Sequence, residues 1–484
     1  MARLHSRRDL LRAGGLVAGG LLGGAALSNV ALAQQSEQVW TSGSAGSAVA
    51  AASPWDDLPT ILARITPPTF PNKTFDITAY GAKPGGTADA SDAFKEAIAA
   101  ANAAGGGQVL VPKGTFLTGA ITLLSNVNLH LADGATVKFS TDPKKYPNVF
   151  TRWQGIELMN FSAFIYAYGQ TNIAITGSGN ALLDGQGPSG PWFGYDGKRQ
   201  PDWNKLQQLA VDKVPVEKRV YGLGHYLKPN FIQLYKCKNI LIDGVRLRNS
   251  AMWNIHPVLS SNITVRNVNI YSRGGMVDGI DPESCKDVYI HDNYFDTGDD
   301  AVAIKSGRDA DGLRINMPTE NVVVEKNQMR GRWGALTVGS EASGGARNIF
   351  FQDCDIAPGS SYHPFYAVYI KTNKRRGGTI ENINVRRITG KTFDKGGIFV
   401  TMNYSLTGPG FGAVVPPTVR NITVENLTVN GAPEAIKLDG LSASHIKNVR
   451  VINCTFTNIK NATPSIKNAD GAVFTNVKIN GKTI

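Results

Sequence analysis

The chain has 484 residues, 42% of them hydrophobic and 18% charged, which excludes a disordered polymer and allows a large buried core. Its formal net charge is +12, but no basic helix with interleaved aromatics accompanies it, so a nucleic-acid module is not expected. Cys237, Cys285, Cys354 and Cys454 are too few and too far apart for a disulfide scaffold, although one or two bridges stay open.

The first 33 residues have the order of an export signal. Ser6-Arg7-Arg8-Asp9-Leu10-Leu11 precedes a Gly/Ala/Leu run that ends at Ala31-Leu32-Ala33, a small-residue cleavage site. Paired arginines before a weakly apolar run predict twin-arginine export, and the glycines break the run before it reaches the length of a membrane span. The leader carries Arg3, Arg7, Arg8 and Arg12 against Asp9, so the mature chain keeps 12 − 3 = +9. A basic exported protein suits an acidic polysaccharide in the periplasm or outside the cell, with no nucleic acid, no membrane after signal removal, and a monomeric state expected.

Residues 34–70 read as a Ser/Gly/Ala-rich linker and N-terminal extension, bounded by Pro67, Pro68 and Pro71, and 71–484 as one domain. Ser91 to Gly107 predicts a helix, capped by Asp89 or Ser91, with Phe94 and Ile98 on one face and Gly105 at its end. Strand-like segments QVLVPKG and NVNLHLADG follow at once.

From there a tripeptide of a polar residue, Asn or Asp, then Val or Ile recurs. It is centred on Asn126, Asn172, Asn239, Asn262, Asp287, Asn321, Asn348, Asn382, Asn421, Asn448 and Asn476. Each opens a short segment of alternating Val/Ile and polar residues, the pattern of a half-buried strand. From Asn239 the intervals are 23, 25, 34, 27, 34, 39, 27 and 28. A minimum near one value with variable excess marks a solenoid with insertions on one face. The fold class expected is all-β, a single-stranded right-handed parallel β-helix with asparagine ladders at its corners and the N-terminal helix covering its open edge. A β-propeller requires a steadier, longer period.

One segment is out of keeping with the basic charge. FDTGDDAVAIKSG sets Asp296, Asp299 and Asp300 within five positions, and Asp278 and Asp281 stand just upstream. From Asp278 to Asp299 is 21 residues and to Asp300 is 22, about one coil, so the acids stack on adjacent rungs about 4.8 Å apart. Crowded carboxylates raise at least one pKa and leave a protonated acid beside an ionised base, the equipment for glycosidic hydrolysis. A structural Ca²⁺ site or a set of solvated turn residues are the other readings of such a cluster. Strand parity puts Asp300 inward with Val302 and Ile304, and Asp299 outward, so both reach one groove only if the chain turns near Gly298.

With these residues in view, the chain from about Phe75 to the C-terminus resembles glycoside hydrolase family 28, the polygalacturonases, within the pectin lyase-like β-helices. FDITAYGAKPGGTADASDAFKEAI resembles the usual entry to that helix, and VDGIDPESC and DTGDDAVAIKSG are the specific matches. The resemblance implies Asp299 as general acid, Asp278 and Asp300 activating the attacking water, inversion at the anomeric carbon, and no metal or other cofactor. Met276-Val277-Asp278 stands for the family's Asn-Thr-Asp. Where Gly-His-Gly is usual the chain reads Arg332-Trp333-Gly334, and where Arg-x-Lys is usual it reads Tyr369-Ile370-Lys371.

Lys371 and Tyr404 match family positions for substrate, and Trp333 and Tyr369 occupy the altered ones. Lys305, outward like Asp299, and Arg308 are further candidates for touching substrate. His256 and His363 are candidates for the missing imidazole, and Lys374, Arg375, Arg376 and Arg332 for the missing guanidinium. The substrate implied is an α-1,4-galacturonan, pectin or its fragments, with rhamnogalacturonan or another pectic chain as an alternative. A Ca²⁺-dependent lyase and a non-catalytic polysaccharide-binding solenoid are readings of other classes. The long intervals before Asn321, Asn382 and Asn421 predict insertions around the cleft, and endo and exo action stay open.

Overall fold

The central residue of each recurring tripeptide bends the backbone into the left-handed region, with φ of 63° at Asn126, 57° at Asn239, 56° at Asp287 and 57° at Asn421. Asn and Asp tolerate that conformation because their short polar side chains bond locally. Here the bonds run between coils: Asn172 Nδ2 donates to Asn126 Oδ1 at 3.0 Å, Asn239 to Asn172 at 2.8 Å and Asn262 to Asn239 at 2.9 Å. Asn321 donates to Asp287 at 3.0 Å, and the ladder continues through Asn348, Asn382 and Asn421 to Asn448. The tripeptide repeat is therefore a corner of a coil.

The computed structural model describes residues 53–405 and 412–484. The export signal and the first part of the linker lie outside the described residues. The architecture is a right-handed parallel β-helix, in which each coil contributes strands to ladders paired with the coils before and after. One ladder runs from Gly107–Val111 through Lys238–Asp243 and Lys286–His291 to Ile446–Ile452. A neighbouring ladder passes through Arg246–Arg248, Asn269–Ser272 and Tyr294–Thr297. The third passes through Ile232–Tyr235, Ile255–Val258, single bridges at Ile280 and Glu283, and Val302–Ile304. Parallel pairing between coils excludes the propeller.

Inward positions stack aliphatic on aliphatic. Ile173, Ile240, Ile263, Val288, Val322, Ile349, Ile383, Ile422 and Val449 form one continuous file, every member buried. Full burial of each such side chain stabilises by about 1.5–3 kcal/mol, so the repeat is its own core. The tripeptide at Asn476 is an exception: its amide donates to Asn453 at 2.9 Å on a different corner, and Gly471 takes the place above Asn448. The local sequence at both corners is the same, so the tripeptide alone does not distinguish them.

Before the coils, α1 (Leu58–Arg64) follows a short turn and packs on the outside of the first ladder. Trp55, Leu58, Ile61 and Ile65 cover Val323 and Phe350, outward apolar residues that otherwise face water. α1 thus lies ahead of Pro67, within the stretch read as linker and extension. α2 (Ser91–Ala103) buries Phe94 and Ile98 on the N-terminal edge of the core. Neither expected residue is the N-cap: Ala90 holds that position without a side-chain cap, Ser91 lies inside the first turn, and Asp89, one residue ahead of the cap, accepts from Ser91 N at 2.9 Å. Gly105, at φ 83°, closes the helix.

Two insertions rise from early coils. Between Asn126 and Asn172 (172 − 126 = 46 residues) an antiparallel hairpin forms from β1 (Asn148–Trp153) and β2 (Ile156–Phe161). Between Asn172 and Asn239 (239 − 172 = 67 residues) lies α3 (Gln200–Val211). Trp153, Leu158, Trp203, Leu206 and Trp253 join the two insertions in a second hydrophobic cluster. β3 (Tyr294–Thr297) and β4 (Val302–Ile304) then flank the acidic segment, followed by α4 (Asp309–Ile315), β5 (Gly334–Gly339), β6 (Tyr366–Lys371), β7 (Gly396–Thr401) and β8 (Thr418–Asp439). All four cysteines are free and buried.

Candidate active site

Regular strand structure stops at Thr297 and resumes at Val302, so the chain bends over Gly298 as the parity of the two acids requires. Gly298 fits because a Cβ there meets the Gly274 carbonyl oxygen at 2.2 Å. Gly279 N donates to Asp300 O at 2.9 Å, which sets Asp278 on the rung beside Asp300. One carboxylate oxygen from each of Asp278, Asp299 and Asp300 lies within 4.8 Å of the other two. All three line a single cavity of about 230 Å³.

The three carboxylates have different partners. Asp300 Oδ1 accepts from Gly334 N at 2.7 Å and Thr337 Oγ1 at 3.3 Å, and its Oδ2 accepts from Lys371 Nζ at 2.7 Å. Asp278 Oδ2 faces Lys305 Nζ at 3.5 Å. Asp299 accepts from two backbone amides, Met276 N at 3.2 Å and Asp300 N at 2.9 Å, and has no ion pair among the described residues. Burial, then the charges of Asp278 and Asp300, push the Asp299 carboxyl well above the ordinary carboxylate range, with Lys371 opposing only in part. Burial and Asp281 push Asp278 the same way, against the pull of Lys305. Asp299 differs from the other two in having no cation paired with it among the described residues.

Behind the acids is a charged cluster. Lys305 Nζ reaches Asp281 Oδ1 at 3.5 Å and Glu341 Oε2 at 3.2 Å, and lies 4.5 Å from the centre of the Trp253 ring. Burial opposes its charge, but Glu341 and Asp278 outweigh that and raise its pKa. Glu341 also pairs with Arg308 and, at 3.8 Å, with Arg376. Burial alone would raise the Glu341 carboxyl; the surrounding cations reverse this and hold it well below the usual range. Arg308 lines the cavity with its guanidinium 4.7 Å from the Trp203 ring centre, and its main-chain N donates to Gly155 O at 3.0 Å at the tip of the β1–β2 hairpin.

The hairpin is fastened to α4: Glu157 N donates to Asp311 Oδ2 at 2.8 Å, and Arg219 bridges Glu157 O and Asp311 at 3.0 and 2.9 Å. Gln154, Gln200, Trp203 and Arg308 therefore form a braced wall on one side of the acids.

Tyr404 and Lys371 also line the cavity, 5.4 Å from ring centre to ammonium. Trp333 and Tyr369 do not line it. Trp333 packs against Phe365 with the rings tilted by 58° and their centroids 4.6 Å apart, and Tyr369 is buried beneath Lys371 in an aromatic stack. Neither histidine replaces the missing imidazole. His256 is fully buried, with Nε2 2.7 Å from Glu283 and Nδ1 facing the amides of Asn230 and Gln233. Burial lowers its pKa and leaves a neutral ring donating to Glu283. His363 is exposed and paired with Asp394 at 3.1 Å.

Sequence reasoning missed Glu341, Trp203, Trp253 and Gln154. Glu341 carried one readable signal, a lone acid between small residues at the end of a strand-like run. Gln154 and Trp203 are brought in by insertions whose docking no local pattern encodes, and Trp253 sits in the shortest interval of the repeat, Asn239 to Asn262, with no local mark of its role.

A β-helix groove holding three close carboxyl groups, two of them paired with lysines and with further cations around them, defines a glycoside hydrolase. The chain belongs to the glycosyl hydrolases family 28, whose model matches residues 103–473. It is 29% identical over 375 residues to a probable polygalacturonase of Vitis vinifera, covering 75% of this chain and 70% of that one. It is 26% identical over 422 residues to the exo-poly-alpha-D-galacturonosidase of Dickeya chrysanthemi, covering 80% and 67%. The exopolygalacturonase structure from Thermotoga maritima superposes with a TM-score of 0.83 at 38% identity, covering 89% of this chain and 96% of that one.

Proposed function

We propose that this protein hydrolyses the α-1,4-galacturonosyl linkages of polygalacturonate from a chain end, after export by the twin-arginine route. The observation that carries this reading is a cavity in which three carboxylates stand among Lys305, Lys371 and Arg308 and which Gln154, Gln200 and Trp203 wall on one side. Positive charge in a confined site attracts a polyanion, and a closed side admits a terminus more readily than the middle of a chain. The names of the relatives from Dickeya chrysanthemi and Thermotoga maritima agree with terminal attack. Among the described residues no helix is long and apolar enough to cross a membrane.

In this mechanism Asp299 donates its proton to the glycosidic oxygen. Asp278 and Asp300, each next to a lysine ammonium, orient and deprotonate the attacking water. Arg308 offers its guanidinium to a sugar carboxylate, a planar match that replaces the arginine absent at Tyr369. Two ammonium groups already neutralise the acids, so the reaction needs no divalent ion and chelator leaves its rate unchanged. The test is reducing-end release from polygalacturonate with product sizing. A single short product from the earliest time, abolished in Asp299→Asn, supports the reading. A spread of sizes assigns internal cleavage, and chelator-sensitive products absorbing in the ultraviolet assign a lyase.

A further inference from the structure

Beyond the acids, on the side away from the braced wall, the outward row of the third ladder changes character. Thr337 on β5 pairs with Tyr369 on β6, Tyr369 with Phe399 on β7, and Phe399 with Lys437 on β8. Val368, Ile370, Ile398, Val400, Ile436 and Leu438 are buried on the inward side of these strands, so the aromatic row faces out. Tyr369 and Phe399 lie 5.6 Å apart and within 10° of parallel. Tyr366 leans on both, at 4.6 and 5.0 Å. Lys437 Nζ ends the row 5.3 Å from the Phe399 ring centre. Tyr366, Phe399 and Lys437 are all partly exposed.

This row joins the catalytic carboxylates directly. Thr337 donates to Asp300 at 3.3 Å and is the rung neighbour of Tyr369, and Lys371 spans the Tyr369 ring, at 4.8 Å, and Asp300. With rungs about 4.8 Å apart, Phe399 stands about 14 Å and Lys437 about 19 Å along the groove from Asp300.

We propose that Tyr366, Phe399 and Lys437 form a distal binding subsite for the uronic-acid chain that extends past the scissile bond. The proposal rests on the polygalacturonate reading above. The apolar face of a pyranose packs on an aromatic ring, leaving its hydroxyls in water, and the ammonium at the end of the row meets the carboxylate of the sugar held there. An aromatic stack that served only the sheet would require neither partial exposure nor a cation at its far end.

The subsite is tested by calorimetric titration in the Asp299→Asn background, where the ligand survives, with trigalacturonate and hexagalacturonate as probes. The hexamer is expected to bind more tightly than the trimer. Phe399→Ala should weaken hexamer binding about fivefold, within the range for one lost aromatic contact, and leave the trimer unchanged. Phe399→Trp should restore it, and Lys437→Gln, which removes only a surface charge, should reproduce part of the loss. Equal affinity for both ligands, or equal weakening of both by Phe399→Ala, overturns the subsite. Failure of the polygalacturonate reading is seen separately, as no reducing-end release from polygalacturonate by the unsubstituted protein.

Discussion

Lys371 Nζ donates to Asp300 Oδ2 at 2.7 Å, across 71 residues of sequence and from a strand two rungs away. The lysine is buried, and its charge is sustained against desolvation by Asp300 and the neighbouring tyrosines, which raise its pKa. Lys371→Met keeps the bulk and removes the ammonium. The expected result is a loss of about 10²- to 10³-fold in kcat, the scale for removing one pre-aimed donor from a closed site. The acidic limb of the pH–rate profile should also move to higher pH, because the base loses its counter-charge. Steady-state rates across pH check both.

Asp299 should set the other limb. Its pKa is raised, so the protonated form persists above the usual carboxylate range and activity falls only as pH climbs past the raised value. Asp299→Asn should lower kcat/KM by about 10³-fold or more, near the upper end for general acid–base catalysis, and the residual rate should have lost the basic limb. A variant that keeps this limb would move the acid role elsewhere.

How far the sequence carried the reading differs along the chain. The corners were legible at Asn239, Asn262 and Asn321 because one backbone requirement, a left-handed bend with an amide to share, recurs once per coil. The stacking of Asp278 on Asp300 followed from their spacing alone. Insertions were placed before Asn321, Asn382 and Asn421, and Arg308, Arg376 and Tyr404 do come to the cavity from those loops. The braced wall comes instead from the stretches before Asn172 and Asn239. Trp153, Trp203 and Trp253 meet across a hundred residues of chain by shape, without any shared period. His256 misled for a similar reason: a histidine's role depends on what surrounds it, and here Glu283, Asn230 and Gln233 surround it completely.

Asp281 connects the site to stability. It is fully buried beside Lys305, and burial pushes its carboxyl up to about 7, Lys305 opposing and the charges of Asp300 and Asp299 adding. The folded state therefore holds a proton that the unfolded chain releases near pH 4, and stability contributed by this group declines as pH rises from about 4 to 7. Asp281→Asn removes the titration. The thermal midpoint of the variant should rise relative to the unsubstituted protein over that interval, and calorimetric scans at four or five pH values measure the difference. A difference independent of pH would mean that Asp281 is charged throughout.

The stereochemical course is decided by which carboxylate is free to attack. The nearest oxygens of the three acids lie within 4.8 Å. That is tighter than the roughly 6.5–9.5 Å usual between the carboxyl groups of inverting pairs, so spacing by itself does not predict inversion. The hydrogen bonds point the other way. A nucleophile needs an unengaged lone pair aimed at the anomeric carbon, and Asp300 is already held by Gly334 N, Thr337 Oγ1 and Lys371 Nζ, while Asp278 faces Lys305. Carboxylates held in this way can polarise a water but are poorly placed to bond carbon. The expected outcome is inversion: proton NMR in the first minutes of hydrolysis of an α-linked galacturonan should show the β-anomer of the new reducing end before mutarotation mixes the two. Early appearance of the α-anomer would make one of these aspartates a nucleophile and require its donors to let go during the reaction.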